Sequence, residues 1–453
     1  ATLFAMMVQI ITGIFLTFFY APSAMTAWES TKSIYDHPFQ HLVLSIHYWG
    51  ASAMIALVFL HLLQVVIWGA YKSPREIQWI VGVLLLLVTM VLGLTGYLLP
   101  WDMNAYFASQ VAINLTLNVP IVGTFVQQFA QDGTTLGTLT INRFFGLHVW
   151  LMPAVLVALV GAHLAIFRWN GPAGPPVEDP RPLRPGRFWP DQMFMDAAAS
   201  LIIFIIIFGL ALAAPPFLDA KADPTKFFVP YPAWYFLDLF GLLNLVPGNL
   251  EIVGAIIIPG VATLILFVLP WLDRSTTRVT GSRKPILWLL TVSMAVILGL
   301  TFWSQAGIVA KQAAAASIAT PTTAQLPAPA NAQANAQPAG GALSASAQAG
   351  KTVFAQNCSS CHGATGAGVP GTFPALADNP VVTGDPKKVV NILLNGLQGH
   401  IQVGSQSFNG QMPAWKANLS AKDITNVINF IRTGLGNNKA TQIKQSLVTS
   451  QKK

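Results

Sequence analysis

The sequence predicts an all-α protein: a seven-helix transmembrane bundle followed by a small α-helical module. Three observations predict it. Of the 453 residues, 53% are hydrophobic and only 9% charged, with a mean hydropathy of +0.55; soluble domains carry about 25% charged residues. Seven apolar segments each approach the roughly 20 residues that cross a hydrocarbon core. Both cysteines of the chain lie close together near its C-terminus, beyond a stretch that cannot build a core. The net charge of +8 could suggest nucleic acid, but no basic face with interleaved aromatics accompanies it, so that class is set aside.

The membrane segments are expected near 3–20, 43–70, 78–99, 144–168, 196–214, 252–271 and 285–304. The chain opens at Ala1, without an initiator Met and inside an apolar run, so earlier residues of the native protein are expected to be missing. Residues 3–19 followed by PSAMTA could pass for a signal peptide, but no basic stretch precedes them, and a retained helix is expected. Charge sets the orientation. The loops at 71–77, 168–195 and 272–284 carry Lys72, Arg75, Arg168, Arg181, Arg184, Arg187, Arg274, Arg278, Arg283 and Lys284; the opposite loops carry Lys32, Arg143, Lys221 and Lys226. Ten against four places the first set in the cytoplasm, and seven crossings put the C-terminus outside.

Residues 1–304 thus form the membrane domain. Residues 305–348 are dominated by Ala, Gln, Pro and small polar side chains, which bury too little to fold. They predict a flexible tether reaching about 35 Å as a coil. An outer module with a C-terminal tail occupies 349–453.

Four histidines give the membrane domain its chemistry. His47 and His61 stand fourteen apart on the second segment; His148 and His163 stand fifteen apart on the fourth. An ionisable side chain at that depth is costly and needs a partner. At about 100° and 1.5 Å per residue, each pair stays on one helix face, its members about 21–22 Å apart. Two such helices facing each other offer two bis-histidine sites, His47 with His148 near the outer surface and His61 with His163 near the inner one. Bis-imidazole coordination within a helical bundle suits a haem that carries electrons. Gly82 and Gly96, also fourteen apart on the third segment, and Gly13 on the first would let a flat macrocycle approach the backbone.

In the outer module, Cys358-Ser-Ser-Cys361-His362 is the haem c attachment signature, two thioethers with an adjacent axial histidine. The adjacent histidine and the lack of other cysteines argue against a dithiol or half a zinc site. Met412 is the expected sixth ligand, with His400 as the alternative. Ser420 and Asp423 form a capping box that opens a closing helix. The stretch 349–436 resembles a small class I cytochrome c. Haem c is attached outside the cytoplasm, which agrees with the orientation read from loop charges.

The motifs GYLLPWDMNAYFASQV (96–111), TINRFFGLHVWLMP (140–153) and VPYPAWYFL (229–237) resemble cytochrome b of the quinol–cytochrome c and quinol–plastocyanin oxidoreductases. The resemblance covers nearly all of 1–304. Fourteen residues between His148 and His163, and HLAIFR at 163–168, are closer to the chloroplast-type branch. The resemblance implies a low-potential haem on His47 and His148 and a high-potential haem on His61 and His163. That branch holds an extra haem through a cysteine on the first helix; the matching position here is Ala5, so such a haem is not expected.

The resemblance also implies an outer quinol pocket around a Pro-Glu-Trp-Tyr motif, here Pro232-Ala233-Trp234-Tyr235. Quinol releases two protons, so a buried route for them needs a titratable group, and Ala233 cannot serve. Asp238 is the leading substitute, with Asp102 and Tyr235 as others. Asp238 as a mere helix-end cap, or Trp234 and Tyr235 as an interfacial aromatic belt, are the plainer readings. The stretches 103–115 and 120–130 would line the pocket. An inner quinone site is implied without residues. Arg143 and Arg168 would pair with haem propionates or serve as membrane-edge charges. Leu44 and Tyr48 stand where the family often has an arginine, so propionate anchoring must differ.

The expected function is that of a cytochrome b–c subunit of a quinol-oxidising, proton-translocating complex in a bacterial plasma membrane. Electrons would leave through two b haems to an inner quinone site and through haem c to a soluble or membrane-bound acceptor. A passive electron conduit without quinol bifurcation is the alternative. The partners implied are a Rieske-type iron–sulfur protein, other membrane subunits, lipid and a second copy of the chain.

Overall fold

The computed structural model describes residues 1–131, 136–174, 187–224, 228, 230–246, 250, 252–275, 277–319, 343–358, 362–363, 365–368, 373–403, 406–412, 414–416, 419–436 and 438–452. The described chain divides into two units, one of residues 1–222 and 230–309, the other of 223–229 and 310–453.

In the first unit, α1 (Thr2–Thr17), α2 (Ala27–Asp36), α3 (Pro38–Ile67) and α4 (Glu76–Tyr97) are followed by the short α5 (Met103–Leu115) and α6 (Gly123–Ala130). Then come α7 (Thr138–Asn170), α8 (Phe188–Ala213), the short α9 (Trp234–Leu245), α10 (Val253–Leu272) and α11 (Lys284–Ala319), whose residues from 310 on are assigned to the second unit. Among the described residues, six helices are long and apolar enough to cross a membrane: α3, α4, α7, α8, α10 and the 280–310 span that contains most of α11. The seventh expected crossing is α1, apolar but 16 residues long. All seven expected segments are therefore helical. The helices expose Leu, Ile, Val and Phe around their outer faces, as lipid rather than water would require.

Two helix pairs place the histidines. α1 packs along α3, and α4 along α7. α7 contains a π turn at Leu147–Leu151, which includes His148; such turns cluster at functional sites because they re-aim side chains.

The far end of α3 is closed by buried charges. The Arg283 side chain is fully buried, donates to the carbonyls of Val66 (2.7 Å) and Ile67 (2.9 Å), and pairs with Asp273 at 2.8 Å. Asp273 also accepts from the Tyr71 hydroxyl at 2.6 Å and pairs with Lys72 at 3.0 Å. Burial opposes ionisation of this carboxyl, but the bonds from Tyr71, Arg283 and Lys72 prevail and hold it down to about 2. Gly69 sits at φ +59°, with the Arg283 guanidinium 2.9 Å from where a Cβ would lie; a side chain there is excluded twice over. Lys72 and Arg283, counted above among the loop charges, are thus tied to this internal network.

The second unit holds α12 (Ala345–Asn357), α13 (Pro386–Asn395), the antiparallel hairpin β1 (Leu397–Val403) and β2 (Gln406–Met412), α14 (Ala421–Gly434) and α15 (Gln445–Lys452). Its core joins Phe354, Val390, Leu394, Ile424, Ile428 and Ile431. α12 crosses α14 so closely that a Cβ on Gly350 would lie 1.9 Å from the Asn426 carbonyl oxygen, so only glycine fits. Ser420 caps α14 by accepting from the Asp423 amide at 3.1 Å and donating to its carboxylate at 2.6 Å.

Two features differ from expectation. The hairpin is a β element in a module read as wholly helical, although the fold as a whole stays helical. α11 continues to Ala319, fifteen residues past the expected end of the membrane domain, because KQAAAASIA is composed largely of the strongest helix former. Of the rest of the expected tether, 320–342 lies outside the described residues, and 345–348 already belong to α12.

Candidate functional site

His47 and His148 face each other across the bundle with ring centroids 6.3 Å apart and planes at 78°. Two imidazoles on opposite sides of one metal, each with a bond of about 2 Å and a ring centre about 1.1 Å further out, would have centroids about 6.2 Å apart. The outer pair therefore fits a shared iron. Its tautomers fit as well. His148 Nδ1 contacts the Leu92 carbonyl at 3.0 Å; a carbonyl only accepts, so Nδ1 carries the proton and Nε2 keeps its lone pair. The Thr12 hydroxyl donates to the Val8 carbonyl at 2.6 Å, so its oxygen accepts from His47 Nδ1 at 2.9 Å. Again Nε2 is the free nitrogen.

His61 and His163, on the same two helices α3 and α7, are the second candidate pair. His163 Nδ1 is buried and makes no close hydrogen bond, though it interacts with the Gln78 backbone.

The three glycines lie against histidine rings. A Cβ at Gly96 would lie 2.6 Å from the His148 ring, at Gly13 3.3 Å from that of His47, and at Gly82 3.5 Å from that of His163. Each glycine seats an imidazole edge; the neighbour is the histidine itself. At Gly96 the approach admits no side chain.

The Pro232–Tyr235 stretch is pinned beside the outer pair. Trp234 Nε1 donates to Ser52 Oγ on α3 at 3.2 Å, five residues beyond His47. The Tyr235 hydroxyl reaches the Gly93 carbonyl on α4 at 3.4 Å, one residue from the carbonyl that His148 uses. Just before the motif, Tyr231 donates its amide to Asn104 on α5 (3.0 Å), and its carbonyl accepts from the Tyr97 hydroxyl (2.8 Å); Asn104 also donates to Tyr97. Trp234 and Tyr235 thus both make internal hydrogen bonds, while Trp234 keeps 45% of its surface exposed, as an interfacial belt would. α5 thus meets this segment through Asn104.

Of the carboxylates, Asp102 caps α5: one oxygen accepts from the Ala105 amide at 2.8 Å, the other from the Asp219 amide at 3.2 Å. Burial raises its pKa against those bonds. Both oxygens are engaged in holding α5 to the 219–222 segment, which argues for a structural part. Asp238 stands half-buried in the second turn of α9, and burial pushes its pKa up too.

Arg143 donates to the carbonyls of Phe129 (2.5 Å) and Gln131 (2.6 Å), closing the C-terminal end of α6. Its Nη1 thereby joins α6 to α7. Arg168 is exposed near the far end of α7.

In the second unit, His362 is 7% exposed and donates Nδ1–H to the Pro374 carbonyl at 2.9 Å, leaving Nε2 as the coordinating nitrogen. Cys358 and Met412 both pack against the core of this unit; Met412 is the last residue of β2, paired with Leu397. Cys361 and the His400 side chain lie outside the described residues.

Comparison with known proteins matches three family descriptions along the chain: "Cytochrome b(N-terminal)/b6/petB" over residues 52–221, "Cytochrome b(C-terminal)/b6/petD" over 222–323 and "Cytochrome c" over 347–434. The chain is 45% identical over 176 residues to the menaquinol:cytochrome c reductase cytochrome b subunit of Geobacillus thermodenitrificans, covering 38% of this chain and 79% of that one. It is 32% identical over 306 residues to cytochrome b of Allochromatium vinosum, covering 62% and 73%. Among solved structures, a chain of a "Hyperthermophilic respiratory Complex III" superposes with a TM-score of 0.60 at 29% identity, covering 67% of this chain and 82% of that one.

Proposed function

The chain belongs to the cytochrome b family, with a cytochrome c domain appended, and from that premise we propose that it is the catalytic cytochrome b–c subunit of a quinol:cytochrome c-type oxidoreductase. Its relatives' names support the reaction class; the observation that carries the reading is the 6.3 Å His47–His148 pair, with Trp234 and Tyr235 anchored beside it. His47 with His148 and His61 with His163 would each hold a haem b, and Cys358, Cys361, His362 and Met412 a haem c. When bound, these groups supply one-electron iron(II)/iron(III) chemistry. The protein's part is to present bare Nε2 atoms, to seat the rings against Gly13, Gly82 and Gly96, and to keep water from the site.

Quinol oxidation to quinone releases two electrons and two protons. In this reading it takes place at the outer face, against α5 and the Pro232–Tyr235 segment. One electron leaves toward an inner quinone site and the other toward an outer acceptor by way of the cytochrome c domain. Release of protons outside and uptake inside stores the energy. Among the described residues no cysteine set exists for an iron–sulfur cluster, and a separate Rieske-type protein is the partner in this reading. Other membrane subunits and a second copy of the chain complete the assembly, with the cytochrome c domain on the extracytoplasmic side of a bacterial plasma membrane.

Asp238 is the proton acceptor in this scheme. Asp102 has both oxygens occupied, whereas Asp238 has a burial-raised pKa suited to taking a proton from quinol. Asp238→Asn should slow steady-state quinol oxidation about tenfold or more, the lower end of general-base effects. It should also remove the acidic limb of the pH–rate profile, a limb the raised pKa places above the ordinary carboxylate range. Unchanged turnover and profile would take Asp238 out of the route. The reading as a whole is tested on purified complex. Quinol-dependent acceptor reduction blocked by outer-site inhibitors supports it. Slow, inhibitor-insensitive haem reduction supports the passive conduit, the reading that Ala233 favours.

A further inference from the structure

The outer and inner histidines are treated differently by the residue that precedes each seating glycine. On α1 that residue is Thr12, before Gly13; on α4 near the outer pair it is Thr95, before Gly96; on α4 near the inner pair it is Val81, before Gly82. Both threonines are back-bonded to the carbonyl four residues earlier, Thr12 to Val8 at 2.6 Å and Thr95 to Val91 at 2.9 Å. Back-bonding turns each hydroxyl oxygen into an acceptor. Thr12 accepts from His47 Nδ1 at 2.9 Å, and Thr95 lies 3.3 Å from His148 Nδ1, which also donates to the Leu92 carbonyl. Valine has the same shape as threonine without the oxygen, so His163, seated on Gly82, meets the Gln78 backbone with no hydroxyl beside it, whereas His148 has both the Leu92 carbonyl and the Thr95 hydroxyl.

We propose that the Thr12-Gly13 and Thr95-Gly96 dipeptides are positioning elements that lower the reduction potential of the outer haem, and that Val81-Gly82 withholds the same effect from the inner one. The physical reason is ligand basicity. An acceptor on Nδ1–H pushes electron density through the ring to Nε2, which favours the ferric iron and lowers its potential. The sign is the useful one: electrons arriving at an outer site of lower potential run downhill to the inner site. The Thr12 bond also fixes the His47 tautomer, since its oxygen receives a proton and has none left to give. The inference rests on the two-haem reading of the membrane domain.

The test is a redox titration of the two b-type absorbance components in the purified full-length holoprotein, with Thr12→Val, Thr12→Ser and Val81→Thr. Thr12→Val should raise the outer potential and leave the inner one in place, reducing the electron-sharing constant between the haems about fivefold, or about 40 mV at 59 mV per tenfold for one electron. Thr12→Ser restores the oxygen and should return the wild-type value. Val81→Thr, its new hydroxyl back-bonded to Ile77 and facing His163, should lower the inner potential by a similar factor. If Thr12→Val loses haem altogether, Val81→Thr, which adds an oxygen at constant volume, still decides the question. Unshifted potentials, shifts of both haems together, or a serine variant that behaves like valine would overturn the inference. Wild-type protein with a single b component would instead overturn the reading beneath it.

Discussion

His47→Ala should remove the outer b-type haem and leave the inner one in place. The 6.3 Å centroid separation leaves room for an iron between His47 and His148. With one imidazole gone, the other cannot hold a six-coordinate low-spin iron, and the apolar bundle offers no substitute. Dithionite-reduced difference spectra should lose the outer component, and quinol-driven reduction of the inner haem from the outer site should fall to background. His61→Ala should give the mirror result, losing the inner component. Retention of both components in either variant would mean that these histidines are not the ligands. A stable bundle is expected in both cases, because α1–α3 and α4–α7 pack through their apolar faces.

The second large effect belongs to the cytochrome c domain. The double substitution Cys358→Ser, Cys361→Ser should abolish covalent haem, seen as loss of the haem-stained band on a denaturing gel, with both b components untouched. Electron delivery to an external acceptor should fall to background while quinol can still reduce the b haems. The selectivity follows from the division of the chain: Cys358, His362 and Met412 belong to a unit with its own core around Phe354 and Ile428. Covalent haem that persists in the double variant would contradict the assignment of the signature.

Much of this was legible in the sequence because the signals depend on spacing alone. Four histidines at fourteen and fifteen residues need only helical geometry to become two facing pairs, and Cys358-Ser-Ser-Cys361-His362 needs no fold at all. What stayed hidden depends on which atom a side chain spends its bonds on. Arg143 carried no sign of its contacts with the Phe129 and Gln131 carbonyls, which join one helix to the next. Lys72 and Arg283 counted as loop charges, because a buried pair around Asp273 leaves the same letters in the sequence as a solvated one. Asp102 and Asp238 were rivals until the bonds to Ala105 and Asp219 showed Asp102 engaged as a cap. Ser52, Tyr97, Asn104 and Tyr231 carried no signal, since each acts on the outer segment through a contact distant in sequence. The Thr-Gly dipeptides were in plain sight as letters; only the hydroxyl's back-bond, which turns it toward the imidazole as an acceptor, gave them meaning. The hairpin over 397–412 was missed because Gln, Asn, Ser and Gly dilute its alternation.

The central claim is that the membrane domain clasps two haems between α1, α3, α4 and α7 while the cytochrome c domain carries a third. The most direct measurement is a pyridine haemochrome determination on the purified chain. The account predicts two b haems for every covalent c haem. One b haem or none per c haem would contradict it.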